Sequence, residues 1–321
     1  MTIAGVGRRG FFLVCEDRLP VALVYRFQWV ISPWLWLWFR AGFAAEMVAG
    51  PRLLNIELTA RCQLRCAFCP TQTDPLYKAR NHSGDMPLAL VRKILGELSY
   101  PVEISFHKDG EPLLYPYLAD ALRESSRFFT HFCTNGLLLA RRAERILGWV
   151  DLVTLSVVEE SPEQVAAVRA FLDRLGSWAG SGGGKKTRLN IKTFSPAMEA
   201  YWRTIHPDVF LTPEHNWGDW KKPWGGASAE EERLRQCPQL VDKMAVNYDG
   251  SVSACCLDFR HQALIGDVRH QTIAEIWNGE PLAKLRGLIA EGRSRETAIC
   301  GQCQFLLRPP DAQGQITGKS G

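Results

Sequence analysis

Three thiols, Cys62, Cys66 and Cys69, fall within the run ARCQLRCAFCP, spaced Cys-x3-Cys-x2-Cys. Soft sulfur ligands this close together on one loop can hold three irons of a four-iron cluster. The fourth iron then has no protein ligand, and an open metal position is what substrate chemistry requires, whereas structural sites fill every position. Other readings of the loop are weaker. A disulfide framework suits a small secreted chain, and 321 residues are enough to bury a core of their own. A zinc site would need a fourth Cys or His, and the nearest downstream candidate is His82.

A second set of thiols lies toward the C-terminus: Cys237, Cys255 with its neighbour Cys256, and the pair in Cys300-Gly301-Gln302-Cys303. Asp249-Gly250 between two apolar runs is a hairpin signal, and the hairpin would carry Cys255 on its second strand. Alternate strand residues face opposite ways, so Cys255 and Cys256 are not expected to serve the same metal group. Four thiolates gathered in this way can close around zinc or an iron–sulfur cluster, and spacing alone does not choose between them. Cys15 and Cys133 read as structural thiols, since buried free cysteines are common.

Between the two sets lie polar groups placed where strands end. His107-Lys108-Asp109-Gly110-Glu111-Pro112 puts a glycine where backbone can approach a ligand closely, next to a carboxylate able to accept from an ammonium. Thr134-Asn135-Gly136 reads as a turn, and Ser156 as a buried hydroxyl or a ligand contact. Glu159 and Glu160 read more simply as a solvated pair than as ligand contacts. Residues 213–224, PEHNWGDWKKPW, combine three indoles with His215, Asn216 and Asp219, a composition suited to a small-molecule wall or to aromatic packing between domains.

The elements that must hold these groups alternate. Leu53–Leu58 reads as a strand feeding the cysteine loop, Leu88–Leu98 as a helix and Val102–His107 as a strand. Tyr117–Arg127 (helix), Phe128–Thr134 (strand), Ala140–Trp149 (helix) and Leu152–Val158 (strand) follow. Ser161-Pro162-Glu163-Gln164 opens a further helix with an N-cap and a first-turn proline. After a Gly/Ser-rich loop, Arg188–Phe194 resumes the strand pattern. Thr272–Trp277 and Pro281–Ala290 read as helices between the hairpin and the last cysteine pair. Alternation of this kind predicts a parallel α/β domain, in which chemistry gathers at the C-terminal ends of strands.

Composition sets outer limits. With 46% hydrophobic and 22% charged residues the chain is ordinary globular protein, and a net charge of +4 without a long basic run argues against nucleic acid. Clustered thiols intended for iron imply a reducing, cytoplasmic setting. At the N-terminus, GRRGFFLV resembles an export signal, but its apolar stretch is too short. The segment 21–39 is long enough to span a bilayer, yet Arg26, Gln28 and Pro33 interrupt it. Its tryptophans suit packing against the main domain or peripheral contact with a membrane surface, the former being preferred.

The triplet, followed one strand later by the Gly-Glu-Pro turn, resembles the signature of the radical S-adenosylmethionine (radical SAM) enzymes, and the resemblance runs from about Arg52 to Cys303. It implies a partial (β/α)6 TIM-like barrel with a small C-terminal α+β domain of the twitch or SPASM kind. The expected division is 1–50 a Trp-rich extension, 51–225 the barrel, 226–310 the auxiliary-cluster domain and 311–321 a flexible tail. By resemblance Cys62, Cys66 and Cys69 hold a [4Fe–4S] cluster whose open iron chelates SAM. One electron then cleaves SAM to a 5′-deoxyadenosyl radical that abstracts hydrogen from substrate. Phe68, Gly110, Glu111, Thr134, Asn135 and Ser156 are then SAM-facing positions, with Asp109 departing from the family's first glycine. Cys237, Cys255, Cys300 and Cys303 would hold a second, auxiliary [4Fe–4S] cluster. The single-cluster twitch form fits better than full SPASM, because no cysteine follows Cys303. The resemblance further implies a small-molecule substrate, such as a sugar or cyclitol undergoing oxidation, and a one-electron donor such as flavodoxin or ferredoxin. Competing readings are a peptide-modifying maturase and a non-catalytic iron–sulfur or zinc protein.

Overall fold

In this computed structural model the described residues are 50–67, 69–79, 83–157, 161–178, 184–212, 233–303 and 306. The Trp-rich extension, Phe68, Glu159, Glu160, the loop 213–224 and the tail lie outside them.

Six parallel strands, β1 (Leu53–Ile56), β2 (Glu103–Ser105), β3 (Phe129–Thr134), β4 (Leu152–Ser156), β5 (Arg188–Thr193) and β6 (Val209–Leu211), lie side by side in sequence order. Crossover helices α1 (Pro70–Thr73), α2 (Pro75–Ala79), α3 (Leu88–Glu97), α4 (Leu118–Glu124), α5 (Leu139–Ile146), α6 (Pro162–Ser177) and α7 (Pro196–Arg203) connect them. The result is the parallel α/β domain that the alternation predicted, with the six strands of the partial barrel that the resemblance implied. Ser161 caps α6 as expected, accepting from the Gln164 amide at 3.3 Å. Several elements are shorter than the sequence suggested: β2 keeps only Glu103–Ser105 and α4 only Leu118–Glu124.

The C-terminal segment is built onto the same sheet. Helix α8 (Pro238–Asp242) leads into β7 (Lys243–Val246), which runs parallel to β1 with Leu53 opposite Lys243 and Ile56 opposite Val246. The hairpin partner β8 (Ser251–Ser253) and then β9 (Leu264–Asp267) continue it antiparallel, giving nine strands in the order β6-β5-β4-β3-β2-β1-β7-β8-β9. Helices α9 (Ile273–Trp277) and α10 (Glu280–Ala290) follow, α9 opened by a full capping box on Thr272 and Glu275. Cys237 and the Cys255–Cys256 turn thereby lie near Lys243, at the start of β7.

One face of the sheet is apolar. Leu54, Ile56, Ile104, Phe132, Val153, Leu155 and Ile191 are fully buried in a core shared with Val91 and Ile94 of α3. Burying that face stabilises the barrel by roughly 1.5–3 kcal/mol per large side chain. Because side chains alternate along a strand, the opposite, concave face receives Asn55, Glu57, Ser105, Thr154, Ser156 and Asn190, all polar. Among the described residues no helix is long and apolar enough to cross a membrane.

Candidate active site

The first cysteine group follows β1. Its loop is fixed by backbone: the Cys69 amide donates to the Cys66 carbonyl at 3.0 Å, and the Gln72 and Thr73 amides donate to the Cys69 carbonyl at 3.0 and 3.1 Å. Cys69 thus stands at the N-cap of α1, with Pro70 at its first position, where a missing N–H costs nothing. The Cys69 thiol is in hydrogen-bond contact with the Thr71 hydroxyl at 3.1 Å.

The loop after β2 packs directly on this one. The Glu111 amide donates to the Arg61 carbonyl at 2.8 Å, and a Cβ added at Gly110 would lie 2.0 Å from the Thr59 carbonyl oxygen. Glycine is required here by close approach of two backbones. Glu111 is buried, and three donors hold its carboxylate. The Leu113 amide reaches Oε1 at 3.0 Å, the Thr134 hydroxyl reaches Oε1 at 2.8 Å and the Asn135 amide reaches Oε2 at 2.8 Å. Burial pushes its pKa up to about 7 against those three donors. In this structure Glu111 and Thr134 therefore join the end of β2 to the end of β3.

Asn135 then reaches the cysteines. Its Nδ2 donates toward Cys62 Sγ at 3.9 Å, while its Oδ1 accepts from Gln63 Nε2 at 3.1 Å and from the Leu137 amide at 3.2 Å. Gly136, at φ +84, lets the chain turn back immediately afterwards. Gln164 Nε2 donates to the Asn135 carbonyl at 2.5 Å. Sequence reasoning saw Gln164 only as part of a helix opening; its burial and its reach across to Asn135 are tertiary facts. Ser156 is half-buried at the end of β4, opposite Lys192.

The three thiols make a donor set that wants a cation. Burial, and then the charges of Glu111, Cys69 and Cys66, push Cys62 up to about 11, with the Leu64 amide acting the other way. A metal group among them would offset that repulsion and let the thiols ionise together near neutral pH.

The second group corrects one expectation. The hairpin forms, but β8 ends at Ser253 next to a register shift, so Cys255 and Cys256 lie in a turn and not on the strand. Strand alternation therefore does not separate them, and the two thiols hydrogen-bond to each other. That contact and burial push Cys255 well up, while the donated hydrogen bond holds Cys256 near 7 despite its own burial. The Leu257 amide donates to Cys255 Sγ at 3.4 Å. Cys237, the N-cap of α8, is buried, as are Cys300 and Cys303, and Cys237 and Cys303 both act on the Cys300 thiol. Burial raises the thiols of Cys237 and Cys300, the latter to about 11. Arg233 Nη2 donates to the Cys300 carbonyl at 2.7 Å and Thr297 Oγ1 accepts from the Cys300 amide at 3.1 Å, fixing the closing pair. Among the described residues no three His, Cys, Asp or Glu side chains converge on a single-ion site.

Comparison with known proteins agrees with this arrangement. The radical SAM superfamily model matches residues 56–179, and that of an iron–sulfur cluster-binding domain, SPASM, matches residues 237–304. The chain belongs to the radical SAM superfamily. As a member of it, the protein uses a [4Fe–4S] cluster with SAM and carries auxiliary iron–sulfur binding in its SPASM-type domain. It is 23% identical over 258 residues to an S-adenosyl-L-methionine-dependent 2-deoxy-scyllo-inosamine dehydrogenase from Niallia circulans, which spans 78% of this chain and 92% of that one. It is 27% identical over 163 residues to PqqA peptide cyclase from Rhodopseudomonas palustris, covering 50% of this chain and 40% of the cyclase. The crystal structure of BtrN in complex with AdoMet and 2-DOIA superposes with a TM-score of 0.57 at 21% identity, over 79% of this chain and 92% of that one.

Proposed function

We propose that this radical SAM enzyme oxidises a hydroxyl-bearing carbon of a small polyhydroxylated metabolite, a cyclitol or amino sugar, after hydrogen-atom abstraction. The observation that carries the reading is the concave face of the barrel. There Glu57 Oε1, Ser105 Oγ and both polar atoms of the Asn190 side chain are buried without a hydrogen-bond partner in the protein. Orphaned buried polar groups are rare, and several on one concave surface point to a polar occupant that completes them.

Cys62, Cys66 and Cys69 hold the SAM-binding cluster, and Cys237, Cys255, Cys300 and Cys303 the auxiliary one, with Cys256 beside Cys255. When bound, these groups supply the electron that cleaves SAM and a destination for the electron that a substrate radical gives up. Gly110 lets the β2 loop lie against the cysteine loop. Glu111, Thr134, Asn135 and Gln164 then fix the positions of Cys62 and the neighbouring strand ends. The match to a 2-deoxy-scyllo-inosamine dehydrogenase over 78% of this chain supports the same substrate class.

Incubating the anaerobically reconstituted, dithionite-reduced protein with SAM tests the proposal, using a panel of cyclitols, amino sugars and short peptides. We expect a polyol or amino polyol to stimulate 5′-deoxyadenosine formation and to be recovered as its ketone. Stimulation by peptides alone would instead favour the peptide-modifying reading that the cyclase match suggests.

A further inference from the structure

Two loops far apart in sequence meet behind the cysteines. Asp74 is the C-cap of α1, the single helical turn whose N-cap is Cys69, so it is rigidly connected to the third thiol of the triplet. Its side chain is 1% exposed, and its Oδ2 accepts from both Nε and Nη2 of Arg260, at 3.1 and 2.5 Å. Its Oδ1 accepts from the Tyr77 amide at 2.8 Å. Burial opposes ionisation of Asp74, but Arg260 and the local amides outweigh it and hold the carboxyl below its ordinary range.

Arg260 belongs to the turn that carries Cys255 and Cys256, and this turn is itself tightly built. The Asp258 amide donates to the Cys255 carbonyl at 3.1 Å. The Asp258 carboxylate accepts from the Gln262 and Ala263 amides at 2.8 Å each, closing the turn around His261, which sits at φ 53. A non-glycine residue in the left-handed region persists only where its surroundings over-determine it. One further contact joins the same loops, the rings of Tyr77 and Phe259 lying 6.3 Å apart; from the loop after β2 the buried Lys108 ammonium, paired with Asp109 at 2.6 Å, reaches toward the Asp258 carbonyl at 3.5 Å.

We infer that Asp74 and Arg260 are positioning residues, a clasp that couples the SAM-cluster loop to the auxiliary-cluster loop so that filling one site holds the other in place. Neither residue touches the reacting atoms. Their effect passes through one helical turn to Cys69 on one side and through the Asp258 turn to Cys255 on the other. This rests on both cysteine groups holding clusters, as proposed above. A charge-assisted pair with one partner buried falls in the range where loss of one member changes an equilibrium about tenfold or more.

The test measures loss of the triplet's cluster to a ferrous chelator, followed by electron paramagnetic resonance, in anaerobically reconstituted protein. Weakening the auxiliary site by removing one of its four thiols, Cys300→Ala, should speed that loss about tenfold when the clasp is intact. In Arg260→Met the loss should already be fast, and adding Cys300→Ala should change it little. Asp74→Asn should behave like Arg260→Met, and Arg260→Lys should recover part of the slow rate. Rates in Arg260→Met and Asp74→Asn that match the parent would overturn the coupling. So would a Cys300→Ala effect that is equally large with and without the clasp. Protein that takes up iron at neither cysteine group would overturn the cluster reading itself, and the coupling with it.

Discussion

Replacing Gly110 with alanine tests the contact on which the first cysteine loop depends. The added Cβ would stand 2.0 Å from the Thr59 carbonyl oxygen, 2.8 Å from the Thr59 carbonyl carbon and 3.0 Å from that of Ala60. All three atoms are backbone, so no rotamer relieves the clash. The β2 loop and the cysteine loop must part by about 1 Å or more, which is the overpacking regime of about 1–3 kcal/mol. The hydrogen bond from the Glu111 amide to the Arg61 carbonyl, next to Cys62, is stretched or lost, adding about 1 kcal/mol. Together these predict about 2–4 kcal/mol of lost stability. Displacement on that scale at a reacting centre can cost about a hundredfold in rate. Anaerobic urea melts, iron content and 5′-deoxyadenosine formation measure the three consequences. An alanine variant with unchanged midpoint, iron content and SAM cleavage would refute the close approach and the role given to it.

Other outcomes follow from the same geometry. Glu111→Gln sets an NH2 group against donors, and should cost about 1–3 kcal/mol in a melt. Gln164→Ala removes the donor to the Asn135 carbonyl and should raise the KM for SAM about tenfold, with a smaller change in kcat. Replacing Cys300 and Cys303 together with Ala should remove about half of the iron and leave the SAM-induced spectroscopic change of the other cluster in place. Glu57 has a definite pH signature. Burial, opposed by Lys108 and reinforced by Asp109, raises its pKa from the ordinary 4.5 to about 7. The folded state therefore binds this proton more tightly than the unfolded one. Its contribution to stability is complete below about 4.5 and is lost as pH rises through 7. Glu57→Gln, which keeps the neutral form, should flatten that part of the stability–pH curve between about pH 4.5 and 7 in urea melts.

Much of this was legible in the sequence because it is local. The Cys62–Cys69 spacing, the Ser161 cap, the Asp249-Gly250 turn and the strand–helix alternation each follow from residues within a few positions of one another, and each appears in the fold. Cys255 was misplaced by a local rule carried too far: alternation holds only while the strand lasts, and β8 is three residues long. Asp74 with Arg260, Glu111 with Thr134, and Gln164 with Asn135 carry no sequence signal, because each partner is chosen by the sheet that brings distant loops together. The union of the barrel and the C-terminal segment through β1 and β7 was likewise invisible, since parallel pairing leaves no turn to read.

Whether one molecule meets the SAM-derived radical on the concave face and leaves oxidised is tested by incubating reduced, two-cluster protein with ring-deuterated cyclitols and amino sugars, with mass spectrometry of both products. Deuterium should appear in 5′-deoxyadenosine, a ketone two hydrogens lighter should form in matching amount, and both should be lost in Cys66→Ala. Unlabelled 5′-deoxyadenosine with every polyol, or label transferred from a peptide instead, would contradict this reaction.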